Sequence, residues 1–272
     1  MAEMTAKQKE RLDQERKQLL ENLRDIQRKI TVFSGKGGVG KTTVSVNLAC
    51  SLQQSGAHTA ILDADVTGPN VTKMLGLNGQ LTSVDSRIIP LEYHGVKVIS
   101  IASMLTPDQP VIWRGPMRSK LIAQFLGEVN WGKLDYLVAD LPPGTGDEII
   151  TIVQKMQPDM AVIVTTPQEV SLMDVRRAIR MAQKMEIPQI GVVENMSGMI
   201  CPHCGVPIDL FGQGGGEQQA RELEVPFFGA IPVDFHARQL ADSGKSVVFE
   251  NPDSPVSQAI ESISVAVREQ LP

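Results

Sequence analysis

Short apolar runs alternate along most of the chain with longer stretches in which apolar residues recur every three or four positions. Residues 30–34, 59–63, 96–101, 134–140, 160–165, 189–194 and 227–231 are runs of the first kind and predict buried strands, and most of the intervals between them predict helices. Parallel strands need long crossovers and are covered on both faces, so they read as continuous apolar runs. The pattern therefore predicts an α/β fold with a mostly parallel central sheet flanked by helices on both faces. In such sheets ligands bind beyond the carboxyl ends of the strands, which is where chemistry is to be sought.

The first 29 residues differ from the rest. They carry eight Lys/Arg and six Asp/Glu, with Leu12, Leu19, Leu23, Ile26 and Ile30 at mostly helical spacing. This predicts a charged helix over 1–29, packed by one stripe onto a body spanning 30–272. Its charges exclude the apolar core of a signal peptide, and no run elsewhere is long enough to span a bilayer, so a cytoplasmic protein without a membrane partner is expected. The remaining 243 residues suit one α/β domain. A net charge of -5 and a pI near 5.5 leave no electrostatic footprint for nucleic acid.

The first apolar run leads into Gly35-Lys36-Gly37-Gly38-Val39-Gly40-Lys41-Thr42-Thr43. Gly35, Gly40, Lys41 and Thr42 fit the spacing of a phosphate-binding loop, and a strand before it with a helix after it is the context that motif requires. The glycines let successive backbone N–H groups turn onto the phosphates, and the helix N-terminus adds a favourable dipole. Lys41 is expected on the β- and γ-phosphates of ATP and the Thr42 hydroxyl on Mg2+. The chain is thus read as a P-loop NTPase.

Two later runs end in acids, as Mg2+ and water activation require. Asp63 closes the second run with Asp65 two residues later, and Asp140 closes the run at 134–140 before Leu-Pro-Pro-Gly-Thr-Gly. Asp140 is the expected holder of the hydrated metal, Asp63 stands near it, and Asp65 is expected to orient the attacking water. Gly144 and Gly146 would let the following loop sense the γ-phosphate. No Asn-Lys-x-Asp motif selects guanine, so ATP and ADP are the expected nucleotides, and Asn195 at the end of another run can meet the adenine edge.

Cys201-Pro202-His203-Cys204 places two thiolates at the spacing that binds one metal or one cluster. Cys50 lies inside a helical pattern and reads as a small apolar core residue, and His203 reads as a solvated spacer. Three chemistries suit the pair: a redox dithiol, a zinc site, or half of an iron–sulfur site completed by a second chain. Two-fold symmetry turns two thiolates into the four that a cluster or a closed zinc site needs, so the cysteines predict a homodimer.

Lys36, just after the first glycine, makes the loop resemble the deviant form of dimerising ATPases, which implies that Lys36 contacts phosphate bound to the partner chain. Over residues 30–265 the ordered motifs GKGGVGKTT, LDADVTGPN, IWRGPM, DLPPGTGD, ENMSG, CPHCG and FGQGGG resemble the Mrp/ApbC family of iron–sulfur cluster carrier ATPases. That resemblance implies a homodimer that slowly hydrolyses ATP and holds a labile 4Fe-4S cluster between Cys201 and Cys204 of both chains. It also implies scaffold or donor proteins as a source and apo iron–sulfur proteins as recipients. Asn70 stands where the family pattern has serine, and no N-terminal cysteine cluster is present. A positioning ATPase of the MinD type is the alternative, but residues 253–272 hold Arg268 as their only basic residue, too little charge for an anionic membrane.

Overall fold

A computed structural model describes residues 6–104, 115–144, 146–201 and 203–271. Its strands are β1 (Ile26–Phe33), β2 (Thr59–Asp63), β3 (Thr82–Val84), β4 (Arg87–Ile89), β5 (Leu91–Tyr93), β6 (Val96–Ser100), β7 (Leu134–Asp140), β8 (Met160–Thr165), β9 (Gln189–Ile200), β10 (Pro207–Ile208) and β11 (Phe227–Val233). Its helices are α1 (Ala6–Leu23), α2 (Lys41–Gln54), α3 (Val71–Met74), α4 (Gly115–Glu128), α5 (Asp147–Met156), α6 (Glu169–Lys184), α7 (Gly215–Glu222), α8 (Phe235–Asp242), α9 (Val247–Glu250) and α10 (Pro255–Gln270).

Nine strands form one sheet in the order β10-β9-β8-β1-β7-β2-β6-β5, with β11 also pairing β9, and β3 and β4 make a separate hairpin. Every pair in the large sheet is parallel except β5 on β6 and β10 on β9. The parallel interior explains the continuous apolar runs: β2 and β8 are buried at every position. Successive side chains point to opposite faces and so divide the core in two. Phe33, Leu62 and Ile163 face a layer with Leu121, Ile149 and Val175 of α4, α5 and α6. Val32, Ile61 and Val162 face Val44, Val248 and Ile260 of α2, α9 and α10.

The N-terminal helix ends at Leu23, and Ile26 and Ile30 belong to β1, where they align with Leu134 and Val138 of β7. Their helical spacing was misleading because strand pairing claims them. Leu19 and Leu23 are buried in the first core layer, while Leu20 is exposed. Asn22 donates from Nδ2 to the carbonyls of Leu126 and Val129, at 2.8 and 2.9 Å, which seats α1 on the end of α4. At about 1.5–3 kcal/mol for each buried leucine, the single stripe suffices to hold this charged helix to the body. The side chain of Leu12 and residues Ile112, Trp113 and Arg114 lie outside what is described. Among the described residues no helix is long and apolar enough to cross a membrane.

Candidate nucleotide site and thiolate pair

Strand β1 stops at Phe33 and α2 starts at Lys41, so the glycine-rich connection sits at the carboxyl end of a central strand and opens a helix. Gly38 and Gly40 adopt φ of +81° and +80°, a left-handed conformation that costs a residue with a Cβ about 1–2 kcal/mol. Two of the glycines are also required by close approach. A Cβ at Gly35 would overlap the carbonyl of Asp174 on α6, and one at Gly40 would overlap Nδ2 of Asn195. Ser34 Oγ donates to the Lys36 carbonyl at 2.8 Å, and the Gly144 N–H donates to the Ser34 carbonyl at 2.9 Å, tying the loop that follows β7 to the P-loop.

Asp140 is the centre of this site. It is fully buried at the end of β7, and Lys41 Nζ donates to its Oδ1 at 2.8 Å. Ser45 Oγ donates to the same oxygen at 2.7 Å, and Thr42 Oγ1 donates to Oδ2 at 2.7 Å. Thr42 and Asp140 therefore share one point, as a bound Mg2+ between them would require, and Lys41 lies close enough to exchange the carboxylate for a phosphate. Ser45 escaped the sequence reading, although its place four residues after Lys41 puts both on one helix face.

The two acid-ended strands are neighbours, with Asp63 and Asp140 in register across β2 and β7. Asp63 is fully buried. Its Oδ2 accepts from Ser100 Oγ at 2.9 Å and from the Val71 N–H at 3.2 Å, and its Oδ1 accepts from the Asp65 N–H at 3.3 Å. Burial, and then the charge of Asp140, push its carboxyl up to about 8. These bonds fasten the 64–71 segment to the sheet. Asp65 sits at the start of that segment, nine-tenths buried, with Oδ1 accepting from Thr67 Oγ1 at 2.8 Å and from the Gly68 N–H at 3.2 Å. Asn195 is buried on β9 just past Glu194, the last β9 residue paired with β8, and donates from Nδ2 to the Val39 carbonyl at 2.9 Å. The structure thus brings Gly35–Thr43, Asp63, Asp65, Asp140 and Asn195 to one end of the sheet. Lys36 is partly exposed at the same loop.

Cys201 and Cys204 lie at the far end of β9, in the turn that leads to β10. The Cys201 N–H donates to the Val206 carbonyl and the Gly205 N–H to the Cys201 carbonyl, each at 2.9 Å, so a tight hairpin presents both thiols. Backbone N–H groups of Cys204 and then His203, together with the Cys204 side chain, hold the Cys201 thiol below its ordinary range, which favours the thiolate that binds metal. Cys204 and His203 are exposed, as are the apolar side chains of Ile200 and Val206 that flank the turn. Among the described residues no group of three or more His, Cys, Asp or Glu could hold a metal ion, so the pair supplies two ligands and no more. Cys50 is completely buried in α2 with its thiol pushed up to about 12 by burial, an inert core residue as expected.

Comparison with known proteins agrees with this geometry. A curated iron–sulfur cluster carrier protein of Pyrococcus horikoshii is 49% identical over 248 residues, covering 87% of this chain and 84% of the relative. The solved structure of a nucleotide-binding protein from Archaeoglobus fulgidus in complex with ADP is 40% identical, with a TM-score of 0.76 over 85% of this chain and 91% of that one. The cell division ATPase MinD of Pyrococcus furiosus, 22% identical with a TM-score of 0.65 over 90% of this chain and 99% of that one, shares the fold. Residues 25–268 match the ParA family model described as NUBPL iron-transfer P-loop NTPase, and the chain, a P-loop ATPase, belongs to that family.

Proposed function

We propose that this protein is an ATP-hydrolysing carrier that holds a 4Fe-4S cluster between Cys201 and Cys204 of two copies of the chain and passes it to apo-proteins in the cytoplasm. The observation that carries this reading is the exposed hairpin with two thiols, one already disposed to ionise, built onto the same strand that touches the P-loop. Two thiolates leave a cluster coordinatively incomplete, and a second copy supplies the other two. The family membership and the printed name of the Pyrococcus horikoshii relative support iron–sulfur cargo in particular.

In this reading the P-loop N–H groups and Lys41 bind the ATP phosphates, Thr42 and Asp140 hold Mg2+, and Asp65 orients the water that attacks the γ-phosphorus. Lys36 reaches phosphate bound to the other copy and stabilises charge as the bond to ADP breaks. The cluster is cargo, so an exposed seat at Cys204 suits hand-over between scaffold or donor proteins and recipients. Anaerobic incubation with iron and sulfide is expected to turn the protein brown, with charge-transfer absorption near the visible. The Cys201→Ser/Cys204→Ser variant is expected to stay colourless. Colour and full iron in that variant would sink the proposal, as would purified protein that takes only zinc.

A further inference from the structure

Strand β9 leads from the buried sheet to the turn that carries the thiols, and two adjacent side chains on it grip two different loops. Asn195 holds the Val39 carbonyl at the apex of the P-loop. Glu194, completely buried, holds the glycine loop before α7: its Oε1 accepts from Ser197 Oγ at 2.6 Å and from the Gly214 N–H at 2.9 Å, and its Oε2 accepts from the Gly216 N–H at 2.6 Å. Buried carboxyl oxygens need such partners, and here two of the three come from the N-terminal turn of α7. Gly216 is required for this approach, since a Cβ there would press on Glu194 and Thr165.

Between these grips and Cys201, β9 is irregular. Met196 carries φ of +60°, rare for a residue with a side chain, and Gly198 carries +69°. The Met196 side chain reaches the neighbourhood of Gly40, and a Cβ at Gly198 would overlap Gln213 in the glycine loop. The segment 196–198 therefore lies between the P-loop and the loop that Glu194 clamps. Ser197, in its middle, is bonded to Glu194 itself.

We infer that Glu194 is a positioning residue that fixes this segment, so that a shift of the P-loop apex on binding nucleotide reaches the Cys201 hairpin instead of dissipating in the turn. The inference deepens the carrier reading and rests on it for the meaning of the thiols. Glu194 touches neither phosphate nor cargo in this scheme. It sets the stiffness of the connection between Asn195 and Cys201.

The test is alkylation of the apo-protein with iodoacetamide, followed at Cys201 and Cys204 by mass spectrometry, with and without Mg2+ and a non-hydrolysable ATP analogue. In the wild type the nucleotide is expected to change the Cys201 rate about fivefold, within the usual range for coupled sites. Glu194→Gln keeps the shape but aims an NH2 group at backbone donors; it is expected to abolish the response while ATP hydrolysis stays within about twofold. Ser197→Ala, a milder lesion beside the same carboxylate, is expected to reduce the response partway and serves if Glu194→Gln does not fold. A wild type without a response, or a Glu194→Gln protein with the full one, overturns the inference. So does a parallel loss of response and hydrolysis, which marks a purely structural residue. Absence of iron uptake by wild type, with the alkylation contrast intact, would instead reject the cargo reading and leave the linkage standing.

Discussion

Replacing Asp140 by asparagine tests the electrostatic centre of the site. Lys41 is 6% exposed, and the partner of its ammonium at 2.8 Å is the fully buried Asp140. Breaking a buried ion pair by neutralising one member costs about 3–5 kcal/mol, because the other charge stays buried without compensation. Asp63 moderates this. Its carboxyl is raised partly by repulsion from Asp140, and the attraction of Lys41 opposes that rise, so once Asp140 is neutral Asp63 ionises more readily and partly balances the lysine. The expected loss is therefore at the low end, about 3 kcal/mol. With a slope of about 3 kcal/mol per molar for a chain of this size, the urea midpoint should fall by about 1 M, followed through the fluorescence of buried Trp131. Adding Asp63→Asn removes the substitute charge, so the double variant should lose more than Asp140→Asn alone. A midpoint shift below about 0.3 M for Asp140→Asn, at unchanged slope, would refute the reasoning.

Asp63 also predicts a pH dependence. Its carboxyl is raised from 3.8 to about 8, so between those values the folded chain keeps a proton that the unfolded chain has released. Its contribution to stability is complete below pH 4 and is lost as the pH rises through 8. The stability difference between wild type and Asp63→Asn, from urea midpoints, should move against the wild type from pH 5 to pH 8; a flat difference contradicts this burial. Gly40→Ala combines a left-handed backbone with a clash on Asn195 and should cost about 2–4 kcal/mol, along with ATP affinity; a variant that melts and binds like wild type would show that the apex relaxes freely. Asp65→Asn should slow ATP hydrolysis at least tenfold with binding changed less than about twofold. Unchanged turnover removes Asp65 from the proposed mechanism.

The parts of the site that lie close in sequence were legible from it. Residues 35–43 announce themselves because a phosphate loop is one continuous segment, and the thiol pair because two residues suffice to space the ligands. The apolar runs located the parallel strands because burial on both faces leaves no polar alternation to confuse them. What pairing creates was hidden: the register that sets Asp63 beside Asp140, and the reach of Asn195 across to Val39. Short edge strands such as β5 and β10 carry too few residues for a period. Strand β9 extends to Ile200 rather than ending at Glu194 because it continues past Met196 and Gly198 in left-handed conformations, which no periodicity signals. Glu194 stands at the end of an apolar run in the sequence, and only the fold brings the glycine loop to it.

The most direct test of the carrier proposal is native mass spectrometry of protein reconstituted anaerobically with iron and sulfide. One 4Fe-4S cluster per two chains, with loss of both cluster and bridged dimer in Cys201→Ser/Cys204→Ser, is the predicted result. A cluster retained by a single chain, or by the variant without these thiols, would contradict it.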